Sequence, residues 1–357
     1  MTAASMVDAG TLHMRVRLGP QGLEALDVRN ERPAAMGALE GRTAAEVLAR
    51  VPRLFSLCGV AQAAAARAAL EAATVGAGAA RAGDEIGVVA ETAQEHLWRL
   101  MLDWPALLAL PEALRSHWRA RFITLHRQLA TLHEDACGEV SAMLSAAVDD
   151  VATPLLDAIG DNTDPPLPGF QPVPLLPALD AHACSQRLAL GPGFERQPAL
   201  DGQPHETGAL ARHADDDAVQ AHLQRGERIR ARVAARLADL AECAQALAAP
   251  PPTQRRRIDA CSPGAGVGLA SVASARGLLI HRVQFGDGDR YATPHVARYC
   301  IVAPTEWNFH PDGAFMREAR AAAHCGTASL RHRLRALALA LDPCVAVRWT
   351  IEETQHA

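Results

Sequence analysis

Between Leu110 and Leu132 apolar side chains return every three or four residues: Leu110, Leu114, Trp118, Phe122, Leu125, Leu129 and Leu132. That spacing gathers them on one face of an α-helix, and such a face has to be buried against other elements. Pro111 is placed to open this helical block, which is predicted to run to about Val151. His126 and His133 lie seven residues apart within it and can share a face, but they read as solvated or core histidines rather than a metal pair.

The chain around this stripe is mostly helical by the same signals. Thr43 and Glu46 have capping-box spacing and predict a helix start that runs toward Pro52 and Phe55. Residues 59–80 are alanine-rich and helical by propensity, with Gly83 as the break. Glu85 to Trp104 reads as the next helix, with Pro105 as its stop. A further helix spans about Asp215 to Ala248, with arginines on its outer face and Pro250-Pro251-Pro252 as its end. The last runs from about Ala328 to Leu341.

Strand signals are few. Leu12, Met14, Val16 and Leu18 alternate up to a Gly-Pro-Gln-Gly turn, followed by Leu26 and Val28, which predicts a β-hairpin. Residues 256–304 turn to strand, with runs at 277–285 and 295–302 around Gly286-Asp287-Gly288-Asp289, a second hairpin. Residues 152–204 hold Pro154, Pro165, Pro166, Pro168, Pro172, Pro174 and Pro177 among Gly and Asp and read as a long connection. The expected fold is α+β, mainly α: a helical bundle with small peripheral antiparallel β elements. It forms a single domain over 1–357 with a Pro-rich excursion at about 152–204.

Composition closes several routes. The apolar fraction is 49%, and the net charge of −5 with no long basic block argues against nucleic acid or an anionic membrane as the main partner. All 35 basic residues are arginine, which excludes a lysine Schiff base and a P-loop lysine. No apolar run approaches the about 20 residues of a membrane span, and no basic-then-apolar leader opens the chain, so a cytoplasmic location is expected. The eight cysteines are Cys58, Cys137, Cys184, Cys243, Cys261, Cys300, Cys325 and Cys344. None forms a Cys-x-x-Cys pair, and in a reducing compartment they are thiols. GxGxxG, Walker, HExxH and GxSxG motifs are absent.

Five stretches, in order, resemble the large subunit of nickel–iron hydrogenases. Leu57-Cys58-Gly59-Val60-Ala61 is similar to that family's Ile-Cys-Gly-Val-Cys, and Glu206-Thr207-Gly208-Ala209-Leu210-Ala211-Arg212 to its Glu-Val-Gly-Pro-Leu-Ala-Arg. Ala275-Arg276-Gly277-Leu278-Leu279-Ile280-His281 is similar to Pro-Arg-Gly-x-Leu-x-His, and Ala303-Pro304-Thr305-Glu306-Trp307-Asn308 to Val-Pro-Thr-Thr-Trp-Asn. Asp342-Pro343-Cys344-Val345-Ala346-Val347 stands against Asp-Pro-Cys-x-x-Cys. In the enzymes the two Cys-x-x-Cys pairs hold nickel and iron. Here the positions of the bridging cysteines are Ala61 and Val347, that of a following histidine is Ala65, that of a proton-carrying glutamate is Met36, and that of the closing histidine is Thr350. No cleavable C-terminal extension is expected.

The pattern is similar to the degenerate large-subunit paralogues of the HupK/HoxV type of hydrogenase maturation protein. The resemblance implies a non-catalytic scaffold that receives or holds an Fe(CN)2(CO) unit transiently, without nickel. It implies Cys58 and Cys344 as metal thiolates, with Arg276 and Thr305 facing the cyanides. The thiols match the family's terminal nickel ligands, so an iron held by them alone needs a geometry different from the enzyme's. For Arg276 the alternative is a structural salt bridge, for Thr305 a strand-end cap, and for the two cysteines inert core thiols. Glu206, Arg212 and His281 read as structural clamps, Glu306 as a surface change, and Cys300 and Cys325 as unlikely extra ligands. Implied partners are the small chaperone of the large-subunit precursor, the iron–sulfur protein that builds the Fe(CN)2(CO) unit, and the hydrogenase large subunit. The competing reading is a metal-free docking module that mimics the large subunit. An active hydrogenase subunit is the least favoured reading.

Overall fold

The computed structural model describes residues 10–20, 22–31, 37–55, 57–76, 78, 80–160, 163–167, 169–188, 190–248, 256–286, 294–323 and 327–353. Met36, Cys325, the Pro250-Pro251-Pro252 run and Asp287-Gly288-Asp289 lie outside them.

The chain opens with the expected hairpin, β1 (Thr11–Gly19) against β2 (Gly22–Glu31). Leu12, Met14, Val16 and Leu18 all turn into the main core, as their alternation requires. Helix α1 (Ala44–Leu54) starts with the full capping box between Thr43 and Glu46, and Pro52 is carried inside its last turn. Helix α2 (Gly59–Thr74) ends at Val75, and Gly76 follows at φ +92°, the left-handed exit that a glycine adopts without strain. The break therefore falls before Gly83, which sits in the first turn of α3 (Ala82–Trp98).

Pro105 does not stop the next helix. Helix α3 passes into a π-helical turn at Arg99–Asp103 and on into α4 (Trp104–Leu107), which takes Pro105 in its first turn. The Trp104 N–H bonds the Arg99 carbonyl, and this widened turn accommodates the proline ring and its missing donor. The block after Pro111 is two helices, α5 (Glu112–Ala130) and α6 (Cys137–Ala158). The helix breaks at Thr131, whose hydroxyl folds back onto the Arg127 carbonyl at 3.0 Å. His133 lies past that break, and exposed His126 stacks on Phe122, so the two do not share a helix face.

The Pro-rich excursion holds α7 (Ala181–Arg187), and Leu175 pairs with Glu206 in an isolated parallel bridge. Then come α8 (Ala209–Arg212), α9 (Asp217–Gln224) and α10 (Arg228–Ala248). Four strands follow, β3 (Ile258–Gly264), β4 (Val267–Ser274), β5 (Gly277–Phe285) and β6 (Val296–Val302), all antiparallel in chain order. This sheet is not peripheral. One face carries α1 and α2 through Val272, Leu279 and Val283, and the other carries Leu176, Cys184 and Trp307 against Leu269 and Ile280. Helix α2 sits so close that a Cβ at Gly268 would lie 1.9 Å from the Ala69 carbonyl oxygen. The run of buried alanines at 61, 64, 65, 66 and 69 is what permits that approach.

The chain closes with α11 (Pro304–Asn308), α12 (Ala314–Ala321), α13 (Thr327–Leu341) and a strand without a sequence signal, β7 (Ala346–Glu353). It pairs parallel with β1, so the first sheet is mixed, in the order β2-β1-β7, rather than purely antiparallel. The first and last strands of the described residues are thereby paired.

The arginines of α10 point inward, contrary to the outer face expected. Arg232 and Arg236 are buried. Arg232 bonds Glu206 and Glu318 together, Arg228 reaches the same two carboxylates at 2.9 Å, and Arg236 reaches Asp342 at 2.8 Å. Burying these guanidiniums is tolerable only because each meets a carboxylate. Arg232→Met should therefore cost about 3–5 kcal/mol in urea unfolding, because it leaves Glu206 and Glu318 under-compensated in the interior.

Candidate metal centre

Cys58 is the residue at which α2 begins. It makes no side-chain cap; the first free N–H groups of the helix are taken by a carboxylate from α3 instead. Glu91 accepts the Val60 N–H at 2.8 Å and the Ala61 N–H at 2.9 Å. This clamp fixes where Cys58 stands relative to α3. Burial raises Glu91 to about 7, against the pull of those two N–H groups.

Arg276 stands at the tip of the two-residue turn between β4 and β5. Gly277 next to it has φ +133°, and a Cβ there would meet Thr207 at 2.5 Å, so the turn can lie against the start of α8 only with glycine. The buried Arg276 guanidinium donates to Asp342 Oδ1 at 3.2 Å, to the Leu57 carbonyl at 3.4 Å and to Glu95. It is thus both a salt-bridge residue and a neighbour of the Cys58 loop.

Asp342 ends α13 in a left-handed conformation at φ +51° and is fully buried. Arg99 and Arg236 each reach its carboxylate at 2.8 Å, beside Arg276. Burial opposes its ionisation, but Arg276, Arg99 and Arg236 hold the carboxyl well below the usual carboxylate range. Two residues on, Cys344 is buried and locked to α11: its N–H donates to Thr305 Oγ1 at 3.0 Å, and that hydroxyl donates to the Cys344 sulfur at 3.0 Å.

These elements bring the four residues singled out in the sequence to one point. The Cys58 and Cys344 thiols stand next to each other, and Arg276 acts on both. The adjacent Cys344 thiol, together with burial, holds the Cys58 thiol well above its ordinary range, while Arg276 pulls it down. The Thr305 hydroxyl is engaged with Cys344 through both its proton and its lone pair. Ala61 and Ala65 are buried in the layer between α2 and the sheet, and Val347 lies in β7 opposite Leu12. The chemistry of the pair is that of two soft donors, Cys344 buried and Cys58 half-buried, beside a fixed cation.

The residues read as clamps behave as clamps. Glu206 holds Arg228 and Arg232, Arg212 holds Asp239, and His281 bonds Gln62 and Tyr299; Asn308, not singled out in the sequence, adds a clamp to Thr207 in both directions, at 2.9 and 3.0 Å. Glu306 is not a surface change: half-buried, it accepts from Asn30 Nδ2 at 2.8 Å and ties α11 to β2. Cys300 packs with the Trp307 cluster on the far side of the sheet. Sequence reasoning missed Glu91, Glu95, Gln62 and the role of Asp342, because their partners are remote in the chain. It also missed a second group, His213, Asp239 and Glu242, whose ligand atoms lie within 4.8 Å of one another. Arg212 and Arg257 already sit on Asp239, so that cluster is an internally neutralised network rather than a cation site.

No protein-family model matches the chain. Solved hydrogenases share its fold. The reduced Ni-Fe-Se hydrogenase of D. vulgaris Hildenborough superposes with a TM-score of 0.65 over 91% of this chain and 94% of that one, at 15% identity. The H2-reduced NAD+-reducing NiFe-hydrogenase gives 0.61 over 91% and 93%, at 17% identity. The fold is therefore that of the hydrogenase large subunit. Its nearer likeness is to accessory proteins. Hydrogenase expression/formation protein HupK of Rhizobium leguminosarum bv. viciae is 32% identical over 99% of both chains. HupV of Azotobacter chroococcum mcd 1 is 34% identical over 95% of this chain and 97% of its own, and HoxV of Cupriavidus necator 31% over 92% and 95%. The chain belongs to this HupK/HupV/HoxV family of hydrogenase expression/formation proteins. Among the described residues no helix is long and apolar enough to cross a membrane.

Glu91 gives the centre a pH signature. The folded chain binds its proton up to about 7, whereas an unfolded glutamate releases it near 4.5. The folded state holds the extra proton across that window, so stability falls as pH rises through it and the loss is complete above it. Thermal unfolding of the wild type from pH 5 to 8 should show this component, at most about 3 kcal/mol. Glu91→Gln, neutral throughout, should lack it.

Proposed function

We propose that this protein is a non-catalytic scaffold of hydrogenase maturation that receives or holds an Fe(CN)2(CO) unit between Cys58 and Cys344 before the unit passes to a large subunit. The observation that carries the reading is the meeting of the two thiols beside Arg276, with Ala61 and Val347 where bridging sulfurs would stand. Metal capture replaces the two thiol protons with one soft cation. The fixed guanidinium offers charge-assisted donors to a cyanide nitrogen, and Thr305 aims Cys344. With two thiolates the centre suits a single iron and needs no nickel. The names of the family members support partners among hydrogenase components. On this reading they are the large subunit, the small chaperone that escorts it and the iron–sulfur protein that builds the cargo.

The docking-module reading draws on one feature: Leu57 and Val60, beside Cys58, are exposed. The two readings part in one experiment. The chain is purified after coexpression with hydrogenase accessory proteins, and its infrared spectrum is recorded. CN and CO stretching bands should be present in the wild type and lost in the Cys58→Ala/Cys344→Ala double variant, which should also fail to support hydrogenase maturation. Absence of the bands, or maturation that persists in the double variant, favours the metal-free docking module.

A further inference from the structure

Behind Cys58 runs a line of buried polar groups that the metal site itself does not require. Gln62, one turn into α2, places Nε2 3.6 Å from the Cys58 sulfur. Its Oε1 lies 2.8 Å from His281 Nε2 on β5, and His281 Nδ1 lies 2.8 Å from the Tyr299 hydroxyl on β6. Gln62, His281 and Tyr299 are 1%, 0% and 3% exposed, so no water competes for these bonds. Tyr299 and His281 are diagonal neighbours across the β5–β6 pair, which fixes their spacing in the sheet rather than in a loop.

The line has a direction. His281 carries no charge here, because burial pushes it down to about 3, so its ring has one N–H to give. If Nε2 carries the hydrogen it donates to Gln62 Oε1, Nδ1 accepts from the Tyr299 hydroxyl, and the Gln62 amide must turn its N–H toward sulfur. The His281 N–H, the Tyr299 hydroxyl hydrogen and one Gln62 amide hydrogen then each have an acceptor. The reverse order would have Nδ1–H donate to Tyr299 and would leave the tyrosine hydroxyl hydrogen without an acceptor among the described residues, a costly buried orphan.

We propose that Tyr299, His281 and Gln62 form a directional hydrogen-bond relay that holds an amide N–H against the Cys58 sulfur and lowers that sulfur's donation to a metal bound there. Gln62 is a positioning residue, and His281 and Tyr299 act through it. The metal half of this statement rests on the reading of Cys58 and Cys344 as iron ligands; the orientation of the relay does not. An N–H bond to thiolate withdraws charge from sulfur, so less electron density passes through iron into carbon monoxide and the CO stretch stays high. A sulfur held in this way binds its cargo less tightly than a bare thiolate, which suits a site that must let go.

Two measurements on the full chain test this. In the metal-free protein labelled with ring-15N histidine, NMR should find His281 neutral with its hydrogen on Nε2, and Tyr299→Phe should disturb that tautomer. A hydrogen on Nδ1 in the wild type overturns the relay. In the coexpressed protein, Gln62→Leu should move the CO band down by several wavenumbers without abolishing it; Gln62→Met, closer in length, serves if the leucine variant does not fold. A CO band that stays in place in a folded Gln62 variant overturns the tuning role. A wild type with no CO band removes the iron reading and with it the tuning role, while the tautomer alone still decides the relay.

Discussion

The position of the centre depends on one buried carboxylate. Asp342 is fully enclosed and meets guanidiniums from three separate parts of the fold: Arg99 in the π-helical turn after α3, Arg236 on α10 and Arg276 at the β4–β5 tip. Any of these charges alone in the interior would cost several kcal/mol of desolvation. Together they attract strongly enough to overcome that cost, and the geometry that lets them do so is narrow. Asp342 must leave α13 with φ at +51°, and that exit sends Cys344 toward Thr305 and Cys58. The ion cluster and the thiol pair are therefore one construction. The charges set the backbone, and the backbone sets the sulfurs.

Helix α10 extends the same principle. Arg228, Arg232, Arg236 and Asp239 recur at helical spacing along a single inward stripe, and each finds its counter-charge in another segment: Glu206, Glu318, Asp342, Arg212 and Arg257. A stripe of leucines could bury as much surface at lower cost, but it would accept neighbours sliding along it. A ladder of directed ion pairs, bidentate at Arg232 and at Arg212–Asp239, accepts one register. In a body whose functional point is assembled from α2, a hairpin tip and the end of α13, register is what has to be protected.

Local chemistry made much of this legible in the sequence, and remote pairing hid the rest. Alternation at Leu12, Met14, Val16 and Leu18 marked the first hairpin, and Thr43 with Glu46 marked the start of α1, because each signal is complete within a few residues. The four candidate residues could be named because they stand in short motifs, and the fold brings those motifs together. Strand β7 was not legible: its partner is β1, at the other end of the chain, and a parallel edge strand of mixed polarity carries little period of its own. The inward arginines were not legible either, since helical period shows which residues share a face but not that Glu206, Glu318 and Asp342 wait on that face from 26, 86 and 106 positions away. Gln62 carried no signal at all; its meaning comes only from His281 across the helix–sheet interface.

The two missing sulfurs acquire a physical sense in this setting. Ala61 is packed into the thin layer where α2 rides on the sheet, and Val347 belongs to the strand that joins the chain's end to its beginning. Both positions have been given over to structure. Four thiolates hold a metal pair in the enzymes; on the proposed reading two thiols, Cys58 and Cys344, hold a single iron here. On that reading Arg276 has protein partners of its own in Asp342 and Glu95, so transfer of the iron need not leave its buried charge unpaired.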